Sequence, residues 1–160
     1  MIVPDVNLLV YAHNSEVPFH DRARRWWEDR LNQPAPVGLS WVTISGFIRL
    51  MTHPRVLVSP MTVDAAVDQV DSWLAQPCVV LLEPGRRFPQ VFLDGLRKLG
   101  TAGNLTTDAY LAALAIEHQA DLCSCDGDFA RFAGLRWSNP IEKPLPKASK
   151  PRAHRRGPRR

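Results

Sequence analysis

The sequence predicts an α/β fold, a single three-layer domain in which a parallel sheet carries helices on both faces. Three observations predict it. Short apolar runs of strand length alternate with stretches of helical periodicity, the order that sets strands side by side with crossover helices between them. Two of the runs lead into an aspartate, Asp5 and Asp126, and ligands in such sheets bind beyond the C-terminal strand ends where the strand order switches. The length of 160 residues and apolar content of 45% suffice for one core but are too small for two ordinary domains.

Residues Ile2 to Pro4 form the first apolar run, and Leu8, Leu9 and Ala12 indicate a short helix starting near Asn7. From Phe19 to Leu31, the positions Phe19, Ala23, Trp26, Trp27 and Leu31 make an apolar stripe, with Arg22, Arg25, Glu28 and Asp29 outside it. A second strand is expected over Pro36 to Leu39. The helix that follows from about Ser40 is apolar on nearly all sides, as core or partner packing requires. Thr62 is placed to cap a helix running to Leu74, and Val79 to Leu82 reads as a buried strand. Phe88 to Leu99 is the next helix, with Gly100 as its stop. Thr106 or Thr107 then caps a helix to His118 that carries Asp108 in its first turn. Leu122 to Cys125 is a strand ending directly at Asp126, followed by a helical turn at Phe129 to Phe132 and a last strand over Leu135 to Trp137.

The formal charge of +4 conceals a division. Eight of the 20 basic residues follow Glu142, which leaves 12 against 16 acids before it: a body of −4 and a tail of +8. The chain is therefore read as a domain over 1–142 and a basic tail over 143–160, whose four prolines and scarce apolar side chains predict disorder. A high isoelectric point consequently says nothing about a basic groove in the fold. The three cysteines, Cys78, Cys123 and Cys125, are odd in number and lack CxxC spacing, so no disulfide framework or zinc site is expected. Cys123 and Cys125 should share one buried strand face. Without a basic leader or an apolar run of membrane-spanning length, a soluble cytoplasmic protein is expected, with no membrane partner.

A carboxylate behind a buried strand is costly to desolvate unless it is partnered. Asp5 and Asp126, with Asp128 two residues on and Asp108 at a helix start, form a cluster whose mutual repulsion favours a divalent cation. Oxygen-only ligands suit Mg²⁺ or Mn²⁺, whereas Zn²⁺ would recruit His or Cys. Each acid has an ordinary reading as well: Asp5 as a turn former, Asp108 as a favourable helix N-terminal charge, Asp128 as the cap of the turn before Phe129. His13, His20, His53, His118 and His154 lack ligand spacing, and Ser40, Ser45 and Ser124 lack a nucleophile-elbow context. No Gly-rich phosphate loop follows the first strand.

The segments PDVNLLVYA, FIRLMTHPRV, DSWLAQP and NLTTDAYLAALAIEHQADLCSCDGDFARF, in that order and at those separations, resemble the PIN-domain toxins called VapC, especially the mycobacterial-type subgroup. The likeness runs from about Ile2 to Pro140. It implies a PIN-like domain and a metal-dependent endoribonuclease, the toxin of a type II VapBC-like toxin–antitoxin module. It further implies Asp5, Asp108 and Asp126 as catalytic metal-binding acids for Mg²⁺ or Mn²⁺. Asn7, Thr107 and Asp128 are implied as supporting residues. The implied partners are an RNA substrate, a VapB-like antitoxin and a second copy in a homodimer. Many PIN domains also place a Glu on the helix after the second strand; here Ser45 and Gly46 occupy that neighbourhood. That departure motivates an alternative, a catalytically impaired PIN fold acting as an RNA- or protein-binding module. A haloacid-dehalogenase-type phosphatase also begins with strand then Asp, but it needs a distal Lys, and the body has only Lys98.

Overall fold

A computed structural model describes residues 1–142; the basic tail read from the sequence over 143–160 lies outside the described residues. Five short strands form one parallel sheet in the order β3-β2-β1-β4-β5. They are β1 (Ile2–Pro4), β2 (Val37–Leu39), β3 (Val79–Leu81), β4 (Asp121–Cys123) and β5 (Arg136–Ser138). The helices are α1 (Val6–His13), α2 (His20–Leu31), α3 (Trp41–Met51), α4 (Val63–Leu74), α5 (Phe88–Leu99) and α6 (Leu105–Glu117), with a 3-10 helix at Gly127–Arg131.

Alternation along the strands assigns the two faces. Val3 and Leu122 point into a core built with α5, α6 and the 3-10 helix, around Phe88, Leu114 and Phe129. Their neighbours Ile2 and Cys123 point the other way, towards α1 to α4, where Trp27, Phe47 and Trp73 are the largest buried side chains. Cys123 and Cys125 both pack on this second core, as the two-residue spacing predicts. Edge-to-face rings, Phe47 on Trp73 at 4.6 Å and Trp27 on Trp73 at 5.5 Å, fill the space between α2, α3 and α4. Among the described residues, no helix is long and apolar enough to cross a membrane.

Several boundaries differ from expectation for identifiable reasons. The strand read as Leu122 to Cys125 is paired with β1 over Asp121 to Cys123, so Ser124 and Cys125 separate it from Asp126. Neither Thr106 nor Thr107 caps α6; the helix begins earlier, at Leu105, and Asn104 precedes it without a side-chain cap. The strand β3, read as buried, lies at the sheet edge with Val80 45% exposed. Asp126, rather than Asp128, caps the turn before Phe129, accepting a bond from the Asp128 amide at 2.8 Å. Gly100 does end α5, in the left-handed conformation that a side chain would strain.

One surface acid fastens the second helical layer. Glu117, last residue of α6, accepts bonds from the backbone amides of Gly85, Arg87 and Phe88 at 2.8 to 3.0 Å, supplying the start of α5 with a cap its own sequence lacks. Desolvation pushes this carboxyl up, but the three amides together outweigh it and hold the group below its ordinary 4.5. Glu117→Ala should therefore cost about 1–2 kcal/mol in urea unfolding at pH 7. Because the folded-state value is depressed, the stabilisation is present above the unfolded value and is lost as pH falls through the folded one. The difference between wild type and variant should consequently shrink below about pH 4.5.

Candidate active site

The strand order reverses direction between β1 and β4, and Asp5 sits at the C-terminal end of β1 in that crevice. Its amide donates to the Cys123 carbonyl at 2.8 Å, which extends the β1 to β4 ladder by one step. Its carboxylate has two tasks. Oδ1 accepts from the Val6 amide at 2.6 Å, making Asp5 the N-cap of α1, and Oδ2 accepts from the Ser124 hydroxyl at 2.6 Å. The strand-end and helix-cap readings of this acid are thus both realised in one residue, only 8% exposed.

Ser124 is the hub that sequence reasoning missed. The residue is fully buried, and its hydroxyl uses its whole hydrogen-bonding capacity. It donates to Asp5, and accepts from Asn7 Nδ2 at 3.0 Å and from the Asp126 amide at 2.9 Å. Asn7 closes the loop by accepting from the Cys125 amide through Oδ1 at 3.4 Å. Asn7 thus supports Asp5 through Ser124 rather than by touching it. The sequence signal is faint: a serine in an apolar run, two residues before an acid.

Asp108 faces this group from the first turn of α6. With Asp5 it lines a cavity of about 340 Å³, whose other walls include Thr43, Ser45, Gly46 and Arg49 of α3 and Thr107. Arg49 was not singled out from the sequence, although it stands one helical turn after Ser45. Thr107 is exposed on the rim, and its hydroxyl bonds to neither acid among the described residues, so hydrogen-bonding support from it does not appear. Asp128 lies farther out, with Arg131 Nη1 at 3.5 Å.

Electrostatics join what the hydrogen bonds leave separate. Asp108 is half-buried and without a hydrogen-bond partner among the described residues; desolvation first, then the charges of Asp5, Asp126 and Asp128, push its carboxyl up to about 6. Burial also raises Asp5, against the lowering effect of Ser124 and the Val6 amide, with Asp126 adding to the rise. Four acids therefore share one field. Among the described residues, no three His, Cys, Asp or Glu side chains converge closely enough to hold a metal ion by themselves. The donors present are carboxylate oxygens, which suit a hard cation whose remaining positions are filled by water or by substrate oxygens.

Comparison with known proteins gives the relationship. The PIN-domain family model matches residues 2–135. Ribonuclease VapC33 of Mycobacterium tuberculosis is 46% identical over 143 residues, covering 89% of this chain and all of that protein. Ribonuclease VapC37 of the same organism is 41% identical over 140 residues, 88% of this chain and 97% of the relative. Among solved structures, VapBC2 from Rickettsia felis, bound to a DNA fragment from its promoter, shares the fold with a TM-score of 0.64 at 18% identity, covering 87% of this chain and 98% of that one. The M. tuberculosis toxin VapC20, described as cleaving the sarcin-ricin loop, aligns with a TM-score of 0.63 at 19% identity, over 85% of this chain and 99% of that one. On the family match and on relatives of this identity and coverage, the chain belongs to the PIN-domain family, in its VapC branch.

Proposed function

We propose that this chain is a divalent-metal-dependent endoribonuclease, the toxin of a VapBC-type pair, that hydrolyses RNA phosphodiesters to 5′-phosphate and 3′-hydroxyl ends. The observation that carries the reading is the gathering of Asp5, Asp108 and Asp126 into one electrostatic field at the strand-order switch, beside an open cavity. The mycobacterial relatives bear the name ribonuclease, which supports RNA as the substrate here.

The oxygen donors fit Mg²⁺ or Mn²⁺: Asp5 and Asp108 would hold the ion directly or through water, with Asp126 completing or tuning the shell. When bound, such an ion polarises the phosphate and lowers the pKa of an attacking water. The residues themselves do the rest. Val6 and Ser124 fix the Asp5 carboxylate, Asp108 presents a second carboxylate across the cavity, and Arg49 offers a guanidinium to phosphate oxygens from the opposite wall. A VapB-like antitoxin and a second copy of the chain complete the assembly. Trp41, 56% exposed at the start of α3, supports a partner contact on that helix.

The direct test is cleavage of RNA by purified protein during a Mn²⁺ titration, with end-group analysis of the products. Cyclic phosphate ends, or binding without cleavage at any metal concentration, would falsify the hydrolytic reading; the second result is the one that the impaired-fold alternative requires. Asp5→Asn and Asp108→Asn should each abolish cleavage while circular dichroism remains that of the wild type. Asp128→Asn should have a smaller effect.

Ser124→Ala tests positioning. Removing the hydroxyl frees Asp5 Oδ2 and the Asp126 amide together, so Mn²⁺ affinity measured by calorimetry and cleavage rate should both fall about 10–100-fold. An unchanged affinity would mean that Ser124 serves the fold alone.

The raised carboxyl of Asp108 makes a separate prediction for the metal-free protein. A folded-state value of about 6 against an ordinary 3.8 means that its contribution to stability is complete below 3.8 and is lost as pH rises through about 6. In EDTA, Asp108→Asn should therefore melt above wild type at pH 7 to 8, with the gap closing towards pH 4. A gap independent of pH would show that the charge cluster is not its source.

A further inference from the structure

A second set of side chains runs away from the acids along the opposite side of α1. Phe19, Arg22, Trp26 and Arg30 recur three or four residues apart, on one face of α2 and the residue before it. That face looks across at the β4 and β5 side of the sheet over two cavities. The first, about 500 Å³, is lined by Tyr11, Phe19, Arg22 and Cys125 among others. The second, about 300 Å³, is lined by Trp26, Arg30, Cys123 and Trp137 among others. Because Arg22 and Trp26 are one turn apart, and Cys123 and Cys125 two residues apart, the cavities succeed one another between the same two walls. From Asp121 to Cys125 this path covers on the order of 13 Å of strand. It ends beside the active site: Cys125 precedes Asp126, and Tyr11 stands one turn after Asn7 on α1.

We propose that this groove is the track for single-stranded RNA entering the active site, with unpaired bases stacking on Phe19 and Trp26 and phosphates meeting Arg22 and Arg30. The proposal rests on the ribonuclease reading and adds to it the form of the substrate and its path. Ring, guanidinium, ring, guanidinium is the order in which a stacked single strand presents planes and charges. The two guanidiniums lie in a body whose net charge, with them included, is −4. Arg136 in the same groove is committed to Asp121 and to the Gln119 carbonyl, which neutralises that acid and leaves Glu142 as the one opposing charge on the lining among the described residues.

Two further features point to a ligand. Arg30 Nε is enclosed and has no hydrogen-bond partner among the described residues, while its Nη1 reaches only Gln33 at 3.2 Å. An enclosed donor without an acceptor is costly, so the side chain gains a bond by swinging out into the groove to meet a phosphate. Trp137, on the facing wall, donates through Nε1 to the carbonyl of Ser124 at 3.1 Å, so one wall of the groove is bonded to the residue that holds Asp5 and Asp126. The Arg22 guanidinium already lies 5.3 Å from the centroid of the Phe19 ring and donates to the Ile141 carbonyl at 2.7 Å, which fixes both side chains at the mouth.

The experiment uses the full chain in an Asp108→Asn background, so that binding is read without cleavage, with a fluorescently labelled unstructured oligoribonucleotide across a salt series. Phe19→Ala and Trp26→Phe are the ring variants; Phe19 is 42% exposed, and Phe at 26 keeps the packing. Phe19→Ala should weaken binding about 5–100-fold, and Trp26→Phe should weaken it less. Replacing individual bases by abasic sites should reveal one whose loss weakens the parent but not the Phe19→Ala protein. Arg30→Gln should reduce the salt slope by about 0.7, the release expected for one single-strand phosphate contact. Variants that bind RNA like the parent, with an undiminished slope, overturn the groove while leaving the nuclease reading intact. Variants that bind RNA normally but lose a VapB-like antitoxin assign the surface to protein instead and equally overturn the proposal. Absence of RNA binding both by the Asp108→Asn parent and by the wild-type chain in Ca²⁺ overturns both readings.

Discussion

Asp5 must carry a carboxylate at the end of the central strand, almost out of reach of water, and the architecture around the site is the set of groups that make this affordable. A charge so placed costs several kcal/mol unless its oxygens are satisfied. The Val6 amide and the Ser124 hydroxyl satisfy one oxygen each, at 2.6 Å, and each bond to a charged acceptor contributes on the order of 1.5–3 kcal/mol. The first bond requires α1 to start at once after β1. The second requires β4 to lie beside β1 in a fixed register, Pro4 against Cys123, so that the next residue on β4 meets the next residue on β1. Topology, register and helix start are thereby constrained by one side chain.

That constraint propagates because the Ser124 hydroxyl has no spare capacity. Its donor goes to Asp5, and its two acceptor positions go to Asn7 and to the Asp126 amide. Asp126 in turn caps the 3-10 helix, whose Phe129 is buried in the opposite core. A single hydroxyl therefore sets the spacing between two acids that repel one another. Asp108 is left outside this network and bears the consequence in a carboxyl pushed up to about 6. Local conflict of this kind is what a binding site retains while the surrounding elements agree with one another. Helix caps, buried aromatic rings and the Glu117 clasp supply the compensating stability elsewhere.

The parts of this arrangement that depend on local pattern were legible in the sequence. Strand, acid, helix at Ile2 to Ala12, the stripe of α2 and the Gly100 stop each rest on residues within a few positions of one another. The parts that depend on pairing across the fold were not. Nothing near Ser124 in the sequence marks it as functional, because its role arises from a contact with a residue 119 positions away. β4 was read two residues too long because Ser124 and Cys125 continue the apolar, extended pattern, although pairing with β1 ends at Cys123. Thr107, a supporting residue by resemblance, lines the same cavity as Asp5 and Asp108 but is exposed at its rim, a placement that depends on how α6 faces α3. Arg49 was legible only in retrospect, because its relevance depends on how α3 crosses α1.

That crossing bears on the absent glutamate. A Cβ on Gly46 would stand 3.2 Å from Val6 Cγ2, so α3 passes tightly over the helix that Asp5 caps, and a larger residue at 46 would press on the first turn of α1. Ser45, beside it, turns its hydroxyl back to the carbonyls of Trp41 and Val42 and presents no charge to the cavity. The next residue of α3 on this wall is Arg49, which is exposed. One wall of the cavity is therefore acidic and the other neutral to basic. Acids on both walls would repel a phosphate unless cations offset them. On the proposed reading, the Arg49 guanidinium would face a substrate phosphate where a carboxylate and its ion would otherwise stand, and a single cation held by Asp5 and Asp108 would be enough.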